Sequence, residues 1–385
     1  MGKVKNNNKI TIVVTGGGTG GHYYPAMSII DGINSHFQKY FPNKELKIFY
    51  IGSQFGIEET LIARTDIPYF LLKIKGFART INIRSILNNL ILPVRILLSM
   101  RKVKKIFNDI KVDAVIGTGG YVTAIPGKIA IKNNIPLYLQ EQNGYPGLTT
   151  RILSKNSRII FYAYEEIKKY IPKEVKLIKS GNPIQTNIKL LSKSKAVVPF
   201  HLSKTKFTIF IFGGSQGSRS INKYFSQNIK EIIDKYHIQF IWQTGRKNYT
   251  EIKSQLGNIS SIFLTPYVYN MSEAYSSADL IISRAGALTI AEIKKMHIPS
   301  LLIPLPSAAA NHQLVNARSL EKIGATIILE EKNLNKNILI STIGKLINDK
   351  HKIYDMKRAL RKNKQLDSVK IVSTNILIDL KRNKL

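Results

Sequence analysis

Residues 13–26, VVTGGGTGGHYYPA, set five glycines and Thr19 between an apolar run and His22. Glycine lets backbone approach a ligand closely, and amides at a helix N-terminus attract anions. Histidine is the side chain whose ordinary pKa lies nearest neutrality, so His22 is a candidate general base. Two familiar labels fail here. Gly16, Gly18 and Gly21 fit G-x-G-x-x-G, but the second strand ends in IGSQ, without the acid that would hold a ribose. Gly16 and Gly21 also have P-loop spacing, yet His22 and Tyr23 stand where Lys and Ser or Thr belong, which argues against ATP with magnesium. A phosphate cradle remains, beside the plainer reading of a tight turn without a ligand. VIGTGGYVTAIPG supplies another such turn, with Gly117, Gly119, Gly120 and Tyr121, and two turns at one crevice could cradle a diphosphate.

The second half carries its own turns. In IFIFGGSQGSRSIN, Gly213, Ser215 and Gly217 have the G-x-S-x-G order of a hydrolase nucleophile elbow, with Asp279 and His297 or His312 downstream. The same turn reads equally as an anion cradle built from the Ser215 hydroxyl and its neighbouring amides. DLIISRAGALTIAEI places Glu292 where a carboxylate can accept two hydrogen bonds from a ribose diol, and Arg284 with the amides near Ala287 where they can face phosphate. Thr289 and Glu292 also have capping-box spacing, which needs no ligand. Asn311, His312 and Gln313 open a further helix, with groups suited to sugar hydroxyls, although Asn311 also suits an N-cap.

Strand-length apolar runs alternate with helical spacing throughout, so the fold class is α/β with parallel sheets covered by helices. Strands are expected at 10–14, 46–51, 114–116, 137–139 and 158–162, then at 207–212, 238–243, 261–265, 280–283, 300–303 and 325–329. A polar, basic stretch beginning GNPIQTN puts the domain boundary near residue 185, giving domains 1–185 and 186–385, with the last helix free to pack back on the first. The 58 Lys and Arg against 24 Asp and Glu, a formal charge of +34, point to anionic partners, though a Lys- and Asn-rich composition accounts for part of the excess. With no cysteine there is neither a disulfide framework nor a thiolate nucleophile. The N-terminus runs straight into a strand-like segment without a secretory signal, and no apolar run is long enough to span a bilayer, so a cytoplasmic enzyme is expected.

GGGTGGHYYPA, GTGGYVTAIPG, EQNGYPG, SGNP, GGSQGS and SRAGALTIAE, in this order over nearly the whole chain, resemble the MurG family of bacterial cell-wall enzymes. The resemblance implies a GT-B arrangement, two Rossmann-like domains facing across a deep cleft. It also implies transfer of N-acetylglucosamine from UDP-N-acetylglucosamine to lipid I, giving lipid II for peptidoglycan synthesis, cell shape and division. Carried onto this chain, it implies that Thr19, Gly20, Gly21 and Asn143 meet the sugar donor from the first domain. Ser215, Val268, Ala287, Leu288, Thr289, Glu292 and Gln313 would hold it from the second, Val268 through its backbone against uracil and Glu292 at the ribose. Gln185 stands where the family usually has Arg, and Arg284 is the candidate replacement cation.

The implied reaction is inverting displacement at the anomeric carbon. No D-x-D pair exists to hold a bridging metal, so amides and helix dipoles must stabilise the departing UDP, without a cofactor. His22 is the expected base and Glu141 the alternative; Gly17, Gly18, Gly119, Gly120 and Tyr121 would receive the acceptor's diphosphate. A lipid acceptor requires a visit to the cytoplasmic face of the inner membrane. For that, Leu87, Leu90, Ile91, Val94, Leu97 and Leu98 form a helical stripe flanked by Arg79, Arg84, Arg95, Arg101, Lys102, Lys104 and Lys105, with Pro93 breaking the helix. An ordinary core helix is the plainer alternative. Anionic membrane is therefore an expected partner, together with other cell-wall synthesis and division proteins. Nucleic acid is not, because the basic residues are spread without interleaved aromatics. A related transferase with another lipid acceptor, or a serine hydrolase at Ser215, are the competing readings.

Overall fold

The computed structural model describes residues 8–77, 83–308, 311–363 and 365–384. The chain forms two compact units, one of Met1–Gln185 with Leu366–Leu385 and one of Thr186–Gln365. In the first, β1 (Lys9–Thr15), β2 (Glu45–Ser53), β3 (Tyr69–Leu72), β4 (Ala114–Gly117), β5 (Leu137–Glu141), β6 (Ile159–Tyr162) and β7 (Leu177–Lys179) make a sheet of order β3-β2-β1-β4-β5-β6-β7. In the second, β8 (Thr208–Phe212), β9 (Gln239–Gln243), β10 (Ile262–Thr265), β11 (Leu280–Ser283), β12 (Ser300–Leu302) and β13 (Thr326–Ile328) give β10-β9-β8-β11-β12-β13. Every pairing is parallel.

The period of two along β1 sends its side chains to opposite faces, and both faces are covered. Ile10, Ile12 and Val14 pack with Ile29, Ile33 and Phe37 of the helix Gly20–Tyr40, whereas Val13 packs with Val103, Ile106 and Phe107 of the helix Leu92–Ile110. In the second unit Ile209 and Ile211 meet Phe225 and Ile229 on one face, and Phe210 and Phe212 meet Tyr275 and Ile293 on the other. The expected strands all form, the edge strands β10 and β13 of the second sheet among them. The edge strands β3 and β7 were not expected; both are short and largely half-exposed.

The last helix, Ser368–Lys384, belongs to the first unit, so the second ends at Gln365 rather than at the chain terminus. Its Val372, Ile376, Leu377 and Leu380 are buried in the core around the helix Gly20–Tyr40. Asp379 accepts hydrogen bonds from the Tyr138 hydroxyl (2.8 Å) and from Arg158 Nε (3.1 Å).

Each sheet reverses its winding at one place, between β1 and β4 and between β8 and β11. Helices leaving neighbouring strands at such a point go to opposite faces and leave a crevice beyond the carboxyl ends. The turns after these four strands are the four motifs rich in glycine or small residues, and each unit by itself is a Rossmann-like fold.

Candidate active site

In the first unit the turns after β1 and β4 pack on each other. Gly120 has φ +79°, and a Cβ there would collide with the Gly17 carbonyl; a Cβ on Gly119 (φ +99°) would lie 2.8 Å from His22 Nδ1. These glycines therefore admit a neighbouring turn and an imidazole, which is a structural need before any ligand. His22 Nδ1 lies 2.9 Å from the Thr118 carbonyl. A carbonyl can only accept, so Nδ1 carries a proton and, in the neutral ring, Nε2 keeps the lone pair. Thr118 Oγ1 donates back to the His22 carbonyl (2.7 Å), and Gln142 Nε2 donates to the Thr118 carbonyl (2.6 Å). Gln142 Nε2 also reaches Gln140 Oε1 (2.6 Å), and Asn182 of the SGNP stretch ties to both Gln140 and Gln142. None of Thr118, Gln140, Gln142 and Asn182 was expected at the site, because nothing in their spacing reveals a relay that crosses three strands.

Glu58 was also missed, and it corrects one expectation. It is fully buried and accepts hydrogen bonds from the Gly18 amide (2.9 and 3.0 Å) and the Ser53 amide (2.9 Å). The Gly18 amide, expected to meet an acceptor phosphate, already has an anion on it. Tyr121 lies at the same turn, its hydroxyl donating to Ser53 Oγ (3.1 Å).

Glu141, the alternative base, is a buried staple. Its carboxylate accepts from the Asn143 amide (3.1 Å), Asn143 Nδ2 (3.4 Å), the Gly147 amide (3.0 Å) and the Thr150 hydroxyl (2.6 Å). It shapes the loop that presents Asn143 and has no open oxygen edge resembling that of a solvent-facing base. Thr19 and Gly21 are exposed at the start of the helix Gly20–Tyr40, where Thr19 is the N-cap position without a side-chain cap. Gln185 is half-buried at the last position of the unit's first segment.

In the second unit the turn after β8 closes with the Gly217 amide on the Gly214 carbonyl (3.0 Å), and Ser218 caps the helix Arg219–Tyr236. Ser215 is exposed on this turn, three residues before the cap, and does not have the positive φ of a nucleophile elbow. Asp279 precedes β11, and its amide bonds to the Thr208 carbonyl at the start of β8. It thus lies at the opposite end of the sheet from Ser215 and is held by Lys193 and the Thr208 amide. The hydrolase triad does not assemble.

Arg284 is likewise not a free phosphate ligand. It is buried, with Nε on Ser218 Oγ (3.1 Å), Nη2 on Ser220 Oγ (2.7 Å), Nη1 on the carbonyls of Ile303 and Pro304 (3.1 Å each), and an ion pair to Glu331 (2.5 Å). One guanidinium thus ties together the chain leaving β8, β11, β12 and β13. Gln243 does the same work between the loops after β8 and β10, donating to the Gly214 carbonyl (2.9 Å) and accepting from the Val268 amide (2.8 Å). A base beside Val268 would therefore meet its carbonyl rather than its N–H.

The helix Ala287–Met296 starts with Gly286 as N-cap and no side-chain cap. Thr289 and Glu292 both lie inside the helix, so they do not form a capping box. Glu292 accepts from the buried Tyr275 hydroxyl (2.6 Å). Burial pushes its carboxyl up to about 7, against the lowering effect of the Tyr275 hydrogen bond and of Lys295. Leu288 and Thr289 are half-exposed in the first turn. Gln313, in the helix His312–Glu321, accepts from the Leu305 amide (3.0 Å), and Asn311 takes the N-cap position with φ +55° and no side-chain cap.

The stripe expected at the membrane is on the surface. Leu87, Leu90, Ile91, Val94, Leu97 and Leu98 are 46–69% exposed, while Ser99, Val103, Ile106 and Phe107 turn inward. The helices Ile83–Leu90 and Leu92–Ile110 meet at Ile91, with Pro93 in the first turn of the second. Arg101 and Lys102 are exposed, Lys102 reaching the Leu71 carbonyl, and Arg95 lies by the Phe55 ring. Arg79 falls outside the described residues, as does the side chain of Arg84. Among the described residues no helix is long and apolar enough to cross a membrane, and no group of three or more His, Asp or Glu could hold a metal ion.

The glycosyltransferase family 28 N-terminal domain matches residues 12–161 and the family 28 C-terminal domain residues 208–372. Relatives described as UDP-N-acetylglucosamine–N-acetylmuramyl-(pentapeptide) pyrophosphoryl-undecaprenol N-acetylglucosamine transferase include that of Desulforamulus reducens, 34% identical over 91% of this chain and 93% of its own. The Bacillus subtilis relative is 36% identical over 90% of this chain and 93% of its own. Among solved structures, Acinetobacter baumannii MurG superposes with a TM-score of 0.71 at 24% identity, covering 96% of this chain and 99% of that one. An S. aureus MnaA–UDP co-structure shares the fold at 0.66 and 14% identity, covering 97% of each chain.

Arg284 makes the second unit's site testable without a ligand. Arg284→Met would leave Glu331 without its cation and the turns unjoined, and losing one partner of a buried pair costs about 3–5 kcal/mol, toward the low end here because Glu331 is partly exposed. The only tryptophan, Trp242, lies in this unit's core, so its fluorescence during urea unfolding reads the loss directly. An unchanged midpoint would remove Arg284 from this role.

Proposed function

Because this chain belongs to the family of UDP-N-acetylglucosamine–N-acetylmuramyl-(pentapeptide) pyrophosphoryl-undecaprenol N-acetylglucosamine transferases, in glycosyltransferase family 28, we propose that it moves N-acetylglucosamine from UDP-N-acetylglucosamine onto lipid I with inversion, giving lipid II. The observation that carries the reading is the hydrogen bond of His22: with Nδ1 donating to the Thr118 carbonyl, Nε2 is the ring nitrogen left to accept a proton, on a half-exposed side chain. Nε2 takes the proton of the acceptor hydroxyl as its oxygen bonds to the anomeric carbon, and the bond to UDP breaks. Glu141 positions the Asn143 loop.

The donor is held by the second unit. The diphosphate meets amides at the turn near Ser215 and at the first turn of the helix Ala287–Met296, whose dipole favours the charge that develops on UDP. Glu292 accepts from the ribose hydroxyls, and Gln313 serves the sugar. Arg284 acts only by fixing these loops, so the place of the family's usual Arg stays with Gln185. No metal enters the reading, and turnover should persist in chelator.

The exposed leucines and their basic flank fit an interfacial segment that meets the acceptor at an anionic membrane surface. They argue against a core helix, whose apolar residues would be covered.

Incubation with UDP-N-acetylglucosamine and a lipid I analogue, following UDP release, tests the activity. His22→Ala is expected to lower kcat by about 10²–10⁴-fold with the donor KM nearly unchanged; unchanged turnover would remove His22 as base.

Donor affinity should follow the ionisation of Glu292. The carboxylate accepts both hydroxyls when ionised and loses acceptor capacity when protonated, so affinity is full above its pKa of about 7 and is lost as pH falls through it. Donor KM is expected to rise about tenfold for each pH unit well below that value, and Glu292→Gln to be weak and flat with pH. A flat wild-type profile would sink the assignment.

Leu90→Asp with Leu97→Asp should reduce sedimentation with phosphatidylglycerol vesicles by more than about tenfold, since each buried leucine contributes about 1.5–3 kcal/mol. Undiminished binding would move the membrane surface elsewhere.

A further inference from the structure

The first turn of a Rossmann-like unit is ordinarily where a phosphate meets helix-terminal amides. In this chain a carboxylate from the start of the short helix Glu58–Ile62, after β2, is there. Glu58 has no exposed surface, and no Lys, Arg or His pairs with it among the described residues. Its oxygens accept from the Gly18 amide, through both, and from the Ser53 amide. The surroundings are built around it. A Cβ on Gly17 or on Gly56 would collide with the carboxylate. Ser53, whose amide it holds, donates its hydroxyl to the Ile74 carbonyl (2.7 Å) and accepts from Tyr121, so the chain beyond β1, β2, β3 and β4 meets at this one group. Its charge is felt nearby: burial first and Glu58 second push Tyr23 up to about 12, and both also raise Tyr50 and Tyr121, keeping these phenols neutral.

We propose that Glu58 is a positioning residue, a built-in anion that occupies the phosphate seat of the first glycine turn. It holds the turn in the shape that carries His22 and denies that seat to phosphates of substrate or solvent. Phosphate recognition in this unit then falls to amides other than Gly18. A carboxylate meets the cost of burial through amide dipoles alone, and removing it leaves Gly18 N–H unpaired in a closed space, a state that costs more than the net value of the bond. The consequence for turnover rests on reading His22 as the base; the consequence for the turn does not.

The test uses the full chain with Glu58→Ala and Glu58→Gln, and two readouts. One is amide exchange in the peptide covering residues 13–24; the other is steady-state turnover. Glu58→Ala is expected to speed exchange at the turn by about tenfold and to lower kcat by a similar factor, with donor KM within about twofold. Sodium acetate should restore protection and turnover saturably, and acetamide at equal concentration should not. Inorganic phosphate should protect the turn of Glu58→Ala but leave that of the wild type unaltered. Glu58→Gln keeps the volume and loses the charge, so it reads the effect should the alanine variant fail to fold; it too should exchange faster. Wild-type exchange in either folded variant, equal rescue by acetamide, or protection of the wild-type turn by phosphate would each overturn the proposal. If the wild type proves inactive with the proposed substrates, the exchange arm still decides the role of Glu58, and the functional reading fails separately.

Discussion

The hydrogen bond from His22 Nδ1 to the Thr118 carbonyl crosses the place where the first sheet reverses its winding. It is available only because β1 and β4 are neighbours, so that the turns leaving them run side by side. The reciprocal bond from Thr118 Oγ1 to the His22 carbonyl makes a two-point clasp, and Gln142 supplies a third contact on the same carbonyl. A single geometric constraint therefore sets the imidazole's tautomer and its direction. The glycines around it are required first by this packing: Gly120 admits the Gly17 carbonyl, and Gly119 admits the ring. The turn is built to hold an imidazole before it is open to hold a phosphate.

The second unit solves a parallel problem with different means. Its loops beyond β8, β11, β12 and β13 are joined by the buried fork of Arg284, and those carrying Gly214 and Val268 by the amide of Gln243. Both units place a buried polar hub behind the turns at a switch point, an anion and an imidazole clasp in one, a cation in the other. Such hubs are tolerable because their charged groups are paired or hydrogen-bonded; an uncompensated charge in the same place would cost more than an apolar group. Glu292 and the first turn of its helix lie outside both hubs and are the groups proposed above to meet a donor.

How much of this was legible in advance depends on the range of the interaction. Interior strands were readable because a strand covered on both faces is an apolar run, and ILE- or VAL-rich stretches such as β1, β8 and β11 announce themselves. The edge strands β3 and β7 are runs of only four and three residues, YFLL and LIK, whose pairing is supplied by β2 and β6. The final helix could be seen as helical, but its place in the first unit rests on Val372, Ile376, Leu377 and Leu380 joining the core around the helix Gly20–Tyr40 and on Asp379 meeting Tyr138 and Arg158, partners more than two hundred residues away.

Local chemistry was thus written along the chain: the glycine turns, the candidate base, the carboxylate in the helix after β11, the surface stripe of leucines. Those features depend on neighbours within a few residues, so spacing alone exposes them. What the folded molecule decided was which charges are available. Arg284, Glu141 and Glu58 look alike in a sequence as free ionic groups; Glu141 is tied within its own loop by Asn143, Gly147 and Thr150, whereas Arg284 and Glu58 are bound into hubs by partners at other strand ends. Only three-dimensional proximity of parallel strand ends brings those partners together, because hydrogen bonding acts over a few ångströms in space and is indifferent to distance along the sequence.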